Sequence, residues 1–329
     1  MMDQLITRFP AQLKEALEIG ASAEIRPHTQ KINKVYVAGL GGSGIGADFV
    51  RAFISKDSPV PYLVGKGYGL PHYVDENTLA ICSSYSGNTE ETLSAYRLMK
   101  STGAKIVVVS SGGQLIEEAK QHGLDYIQVP GDWPSPRACL GYSIVQQLFI
   151  LFRLGFIDGS FQNEIKAAAD LLLFDQDYIK KSAKKVADRI YNKMPIIYST
   201  DRIEPVAVRL RQQINENAKM LCWHHVIPEM NHNELVGWTE KHSDKAVIYL
   251  RNQDDLKRNQ VRININQDII SKYTDTIIEI YSKGNSLVEK SMYLVHLGDW
   301  ISWYLSEYKS VDAIEIGVID YLKSELGKV

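Results

Sequence analysis

KVYVAGLGGSGIGADF, Lys34 to Phe49, and SSYSGNTEET, Ser83 to Thr92, decide the fold of this chain. The first is a short β-rich run, Val35–Ala38, followed by five glycines and a serine before a helix-period pattern opens. The second repeats the plan, with the strand-like run Leu79–Cys82, a hydroxyl-rich turn and a helical segment from Glu90. A turn that leads from a strand into a helix leaves backbone N–H groups without partners, and the helix dipole favours negative charge beside them. Two such turns point to an anion, and small hydroxyls point to a phosphate on a small molecule.

Working outward, further apolar runs at Pro61–Val64, Lys105–Val109 and Tyr126–Val129 alternate with helix-period segments such as Glu90 to Lys100 and Leu115 to His122. That alternation predicts an α/β fold with a doubly wound, flavodoxin-like parallel sheet. Asp158, Gly159 and Ser160 break it, and a charge-mixed helical stretch follows from Asn163 to Met194. A second strand–turn–helix series has strand candidates at Pro195–Ser199, Val226–Ile227, Ala246–Leu250 and Thr276–Ile280. The pattern predicts a first unit with an N-terminal helix over residues 1–155, a helical connector over 156–193, and a second unit over 194–329. The second unit ends in an amphipathic helix, Ile314 to Gly327, and the halves share a plan without sequence repetition.

Composition narrows the functional classes. The 329 residues are 45% hydrophobic and 23% charged, ordinary for a globular chain and enough for two domains. A net charge of −2 and a pI near 6.5 give no electrostatic case for nucleic acid or an anionic membrane. Cys82, Cys139 and Cys222 lie in or beside apolar runs without a CxxC pair, as expected of reduced thiols in a cytoplasmic protein. The N-terminal stretch is amphipathic, contains acids and lacks a signal-peptide cleavage pattern. The longest apolar run, Ile144 to Phe152, is interrupted by Gln146 and Gln147, so no membrane span is expected.

Gly39, Gly41 and Gly44 also satisfy G-x-G-x-x-G, the fingerprint of a dinucleotide site. That site needs a carboxylate at the end of the next strand, where Gly65, Lys66 and Gly67 stand instead. In the second turn Ser84, Ser86 and Thr89 surround Gly87; a helix cap alone would use one hydroxyl, and this turn offers three. In GDWPSPRACLGYS, Arg137 sits where a helix opens, a poor place for a cation unless it faces an anion. A surface arginine without a role is the plainer alternative. Glu216, in NENAKM, reads by itself as a solvated helical carboxylate, and His232, in NHNE, as a loop histidine. His224 and His225 are adjacent and so point apart, and no zinc-type spacing includes His232, so no metal is expected.

Together these pieces resemble sugar isomerase domain proteins, and more specifically the bifunctional phosphoglucose/phosphomannose isomerases of archaea and some bacteria. The resemblance rests on GLGGSGIG (39–46), SYSGNTEET (84–92), PSPRACLGYS (134–143), NENAKM (215–220) and NHNELVGW (231–238), in the family's order across both halves. It implies two sugar isomerase-type units acting on hexose 6-phosphates without metal or redox cofactor. Glucose 6-phosphate and fructose 6-phosphate are the implied pair, with mannose 6-phosphate as a further candidate. It makes Gly42, Ser43, Ser84, Ser86 and Thr89 the phosphate cradle and Arg137 the stabiliser of charge at the reacting carbons. Glu216 becomes the base moving a proton between C2 and C1, while His232 and Lys323 handle the ring oxygen and C5 hydroxyl. In this family the histidine comes from the neighbouring subunit, which implies a homodimer with shared sites. One departure is visible: before its C-terminal lysine the family places a hydroxyl residue, whereas Val311 to Tyr321 reads VDAIEIGVIDY. That leaves Lys309 as the alternative to Lys323 and leaves the mannose epimer open. Two other classes fit a phosphate cradle. One is a sugar-phosphate sensor, although no basic DNA-recognition segment is evident; the other is an aminosugar-phosphate isomerase.

Overall fold

The computed structural model describes residues 1–328, which divide into two compact units. The first holds Arg8–Leu171 with Ser286–Glu289; the second holds Met1–Thr7, Leu172–Asn285 and the chain from Lys290 onward.

The first unit is built on β1 (Lys34–Ala38), β2 (Tyr62–Gly65), β3 (Thr78–Ser83), β4 (Lys105–Ser110) and β5 (Asp125–Gln128). Their order is β2-β1-β3-β4-β5, and every neighbouring pair is parallel. β3 is buried at every position and β4 at all but its first, as an apolar strand covered on both faces must be. On one face Tyr36, Ala80, Cys82 and Val108 pack with Leu93, Tyr96 and Met99 of the helix Glu90–Met99 and with Leu115 and Ile116 of the helix Gly113–Gln121. Burial pushes the Cys82 thiol up to about 12, which keeps it protonated and inert.

Of the five glycines after β1, Gly39 precedes the helix Gly41–Ile54, and Gly41, Gly42, Gly44 and Gly46 lie inside it rather than in a loop before it. Close packing explains why a helix tolerates them. A Cβ on Gly44 would stand 2.5 Å from the Gly39 carbonyl oxygen, and one on Gly46 would stand 2.3 Å from Ser143 Oγ. Gly41, at φ +51°, begins the helix in the left-handed region that glycine adopts freely. At the end of β2, where a ribose-binding acid would be needed, Lys66 instead pairs with Asp48.

The second unit holds β6 (Met194–Thr200), β7 (Trp223–Ile227), β8 (Lys245–Arg251) and β9 (Ile277–Tyr281), parallel throughout in the order β7-β6-β8-β9. Ile196, Tyr198, Val247 and Tyr249 form its core with Met230, Trp238, Ile263 and Ile270. The helix Glu204–Ala218 follows β6 and opens with Glu204 and Pro205, an acid and a proline suited to a first turn. It is braced against the helix Leu287–Tyr308 by a buried fork between Arg209 and Asp299 (3.2 and 3.0 Å) and by Asn217 Nδ2 donating to Ser302 Oγ at 2.9 Å. The connector is two helices, Ser160–Phe174 and Gln176–Ile190. Among the described residues no helix is long and apolar enough to cross a membrane.

Candidate active site

The sequence-derived candidates fall in both units. Gly42, Ser43, Ser84, Ser86, Thr89 and Arg137 lie in the first, and Glu216, His232 and Lys323 in the second.

In the first unit both glycine- and hydroxyl-rich turns leave the carboxyl ends of adjacent strands. β1 has β2 on one side and β3 on the other, so the chain diverges between β1 and β3, the crevice where open α/β sheets bind ligands. The turns touch there, since a Cβ on Gly39 would lie 2.9 Å from the Ser83 carbonyl and 3.3 Å from Ser43 Cβ. The N–H groups of Ser43 and Gly44 already bond to the Leu40 carbonyl, at 3.0 and 3.1 Å. Gly41 and Gly42 precede them at the helix start, where no carbonyl one turn earlier is available.

In the second turn Ser84 Oγ and Thr89 Oγ1 lie 2.8 Å apart, and Ser84 Oγ accepts from the Gly87 N–H at 3.2 Å. Thr89 is the N-cap of the helix Glu90–Met99, yet its side chain makes no capping hydrogen bond. Its hydroxyl is committed to Ser84, leaving the helix mouth without a side-chain cap. Ser84 is buried, Thr89 half-buried and Ser86 exposed, and Ser86 Oγ accepts from the Asn88 N–H at 3.3 Å. The turn is rigidly backed. Gly87, at φ +70°, has no room for a Cβ, which would fall 1.8 Å from the Gly112 oxygen, and the Tyr85 carbonyl accepts from the Ser111 N–H and hydroxyl at 2.9 and 2.6 Å.

Arg137 lies in a 3-10 turn, Pro136–Ala138, before the helix Leu140–Arg153 rather than in that helix, and it is buried. The turn faces the glycine turn: a Cβ on Gly42 would be 3.3 Å from the Pro136 oxygen and 3.8 Å from Arg137 Cα. Gln12 fixes this segment. Its Nε2 donates to the Ala138 oxygen and its Oε1 accepts from the Gly141 N–H, both at 2.8 Å. Tyr85 Oη donates to the Pro130 oxygen at 2.9 Å and accepts from the Trp133 N–H at 3.2 Å, linking the second turn to the same stretch. Sequence reasoning missed both residues. Gln12 left a signal, because it is a buried amide on a helix face otherwise formed by Phe9, Leu13 and Ala16.

In the second unit Glu216 is half-buried near the end of its helix and lines a cavity of about 430 Å³ with Asn215, Met220, Ile316 and Ile319 among its neighbours. His232 is exposed in a 3-10 turn, Glu229–His232, while the residues around it are tied down. Asn231 Nδ2 donates to Asn266 Oδ1 at 2.7 Å, Asn233 Oδ1 accepts from the Glu234 N–H at 2.6 Å, and Glu234 Oε1 accepts from Tyr198 Oη at 2.5 Å and Trp223 Nε1 at 3.2 Å. Lys323 is exposed on the helix Gly317–Leu326 and does not line the Glu216 cavity, nor does His232. Lys309 Nζ reaches the Lys219 carbonyl at 3.5 Å. Among the described residues no three His, Cys, Asp or Glu side chains are grouped to hold a metal ion.

Comparison with known proteins identifies the family. Residues 29–151 match the SIS domain family, and residues 179–326 match the bacterial phospho-glucose isomerase C-terminal SIS domain. A bifunctional phosphoglucose/phosphomannose isomerase from Caldicellulosiruptor bescii is 38% identical, covering 100% of this chain and 99% of that protein. One from Aquifex aeolicus is 35% identical, covering 89% and 90% respectively. Among solved structures, the C-terminal domain of glucosamine-fructose-6-phosphate aminotransferase from Francisella tularensis superposes with a TM-score of 0.75 over 94% of this chain and 96% of its own, at 13% identity, a likeness of fold alone.

Proposed function

The chain belongs to the bifunctional phosphoglucose/phosphomannose isomerase family, and from that premise we propose that it interconverts glucose 6-phosphate and fructose 6-phosphate, with mannose 6-phosphate as a second aldose. The observation that carries this reading is the cradle at the β1–β3 crevice. Supporting it, a glycine-opened helix follows β1, a turn that pairs the Ser84 and Thr89 hydroxyls follows the neighbouring β3, and the buried Arg137 segment packs against Gly42.

The chemistry assigns each residue a task. Gly42, Ser43, Ser84, Ser86 and Thr89 grip the phosphate. A cyclic aldose must open before it can become a ketose, which requires a proton donor and acceptor at the ring oxygen; the two ring nitrogens of an imidazole can serve as both, so His232 takes that role, with Lys323 or Lys309 assisting. The C1 aldehyde acidifies the C2 proton, Glu216 removes it, and the charge of the cis-enediolate is stabilised by the Arg137 guanidinium. Glu216 returns the proton to C1. As the ketose forms, the proton of the C2 hydroxyl passes to O1, so hydrogen is redistributed within the substrate and the conversion is redox-neutral overall. The reading includes a homodimer in which His232 serves the neighbouring chain's site, and a cytoplasmic location in keeping with the packed thiols.

Incubation with fructose 6-phosphate should yield glucose 6-phosphate, and mannose 6-phosphate should yield the same ketose. Binding without turnover would replace this reading with that of a sensor. Converting both Ser84 and Thr89 to alanine should raise KM, because each hydrogen bond lost to a charged group is worth roughly 1.5–3 kcal/mol. An unaltered KM in a variant of unchanged thermal midpoint would remove the two hydroxyls from the phosphate grip.

A further inference from the structure

Lys219 occupies a conformation that lysine seldom adopts. It closes the helix Glu204–Ala218 in the left-handed region, at φ +53° and ψ 39°. There a Cβ crowds the next carbonyl, and glycine is the ordinary choice. A side chain retained at such a position calls for a reason.

The ammonium supplies one. Lys219 Nζ donates to the main-chain carbonyl of Glu216 at 2.7 Å and to those of Asp312 and Glu315 at 2.8 Å each. Three carbonyls match the three protons of an ammonium, and they come from two separate segments of the chain. One is the end of the helix bearing Glu216. The other is the loop leading to the C-terminal helix Gly317–Leu326, which buries none of its residues and leaves Val318 and Tyr321 84% and 67% exposed. That loop closes on itself locally, with Asp312 Oδ1 accepting from the Ile314 N–H at 2.8 Å and Glu315 accepting from the Gly317 N–H. Ile316 and Ile319, just beyond the tether, line the cavity that Glu216 lines.

We propose that Lys219 is a positioning residue whose ammonium latches the segment Asp312–Ile316 to the helix end that carries Glu216. The latch sets the apolar wall of the Glu216 cavity and the placement of the helix bearing Lys323. This role rests on the reading of Glu216 as the catalytic base, whereas the latch itself is measurable without any substrate.

Lys219→Gly is the discriminating variant, because it relieves the left-handed strain while deleting the ammonium. A lysine that served only as a cap would be replaced by glycine without loss. The latch predicts a thermal midpoint no lower than that of the parent protein, together with amide exchange of the 312–326 peptide faster by about tenfold or more. It also predicts a kcat lower by about 10²-fold, the scale of an ångström-size misplacement, with KM for fructose 6-phosphate nearly unchanged. Parental exchange in Lys219→Gly overturns the latch, and faster exchange with parental kcat overturns the positioning role. If the parent protein shows no isomerase activity at all, the functional reading fails while the exchange result still decides the latch.

Discussion

Replacing Glu216 by glutamine should lower kcat by about 10²–10⁴-fold, the usual scale for loss of a general base. Glutamine retains the shape of glutamate and part of its hydrogen bonding, and the helix beneath it is held independently by the buried Arg209–Asp299 fork and by Asn217 on Ser302. The variant should therefore fold with the parental thermal midpoint. KM should move little, since the proposed phosphate grip involves Ser43, Ser84, Ser86 and Thr89 and not this carboxylate. Solvent isotope provides the second readout. In deuterated water the parent protein should place deuterium at the exchanging carbon during turnover, because a carboxylate holding the abstracted proton can trade it with solvent. The glutamine variant should incorporate none on the same timescale. Near-parental turnover with label incorporation would take Glu216 out of the mechanism.

The fold was more legible in the sequence than the site. Eight of the nine described strands were visible nearly whole, because a covered parallel sheet writes itself as short apolar runs, of which β3 and β4 are the plainest; of β7 only Val226–Ile227 was legible, because His224 and His225 interrupt its run. The 22-residue helix Leu287–Tyr308 left no comparable pattern, since Ser291, His296, Asp299, Ser302 and Ser306 are buried on it beside its apolar residues and interrupt the period. In the candidate site, the two turns were readable as strand-to-helix turns because glycines and small hydroxyl residues at a helix mouth leave a local signature. What holds the segments around the candidate residues was harder to read. Gln12 acts on residues more than a hundred positions away, and Lys219 acts through main-chain carbonyls of Asp312 and Glu315, atoms that carry no sequence signal. The glycines were legible as a motif but not as to cause. The contacts of Gly44 with Gly39 and of Gly46 with Ser143 show that packing, as much as any ligand, requires them.

Mixing the two inactive variants Glu216→Gln and His232→Ala should restore activity to about one quarter of the parental value once subunits have exchanged. The figure follows from counting sites in a two-fold dimer in which each site takes its glutamate from one chain and its histidine from the other. A hybrid of the two variants then contains one site with both defects and one with none. Random exchange makes about half of all dimers hybrid, and each regains one of its two sites. Each variant alone should stay about 10²-fold or more below the parent, so the recovery is large against its background. The structural motive is the way His232 is presented. Asn231 is fastened to Asn266, and Glu234 is fastened to Tyr198 and Trp223, so the loop is held firmly on both sides while the imidazole itself is exposed. A histidine serving its own chain predicts no recovery, because every hybrid site would then carry one defect. Subunit exchange is verified separately by mixing chains of different mass and weighing the intact dimers. Exchange with no return of activity would sink the shared-site arrangement while leaving the phosphate cradle and Glu216 to be judged on their own tests.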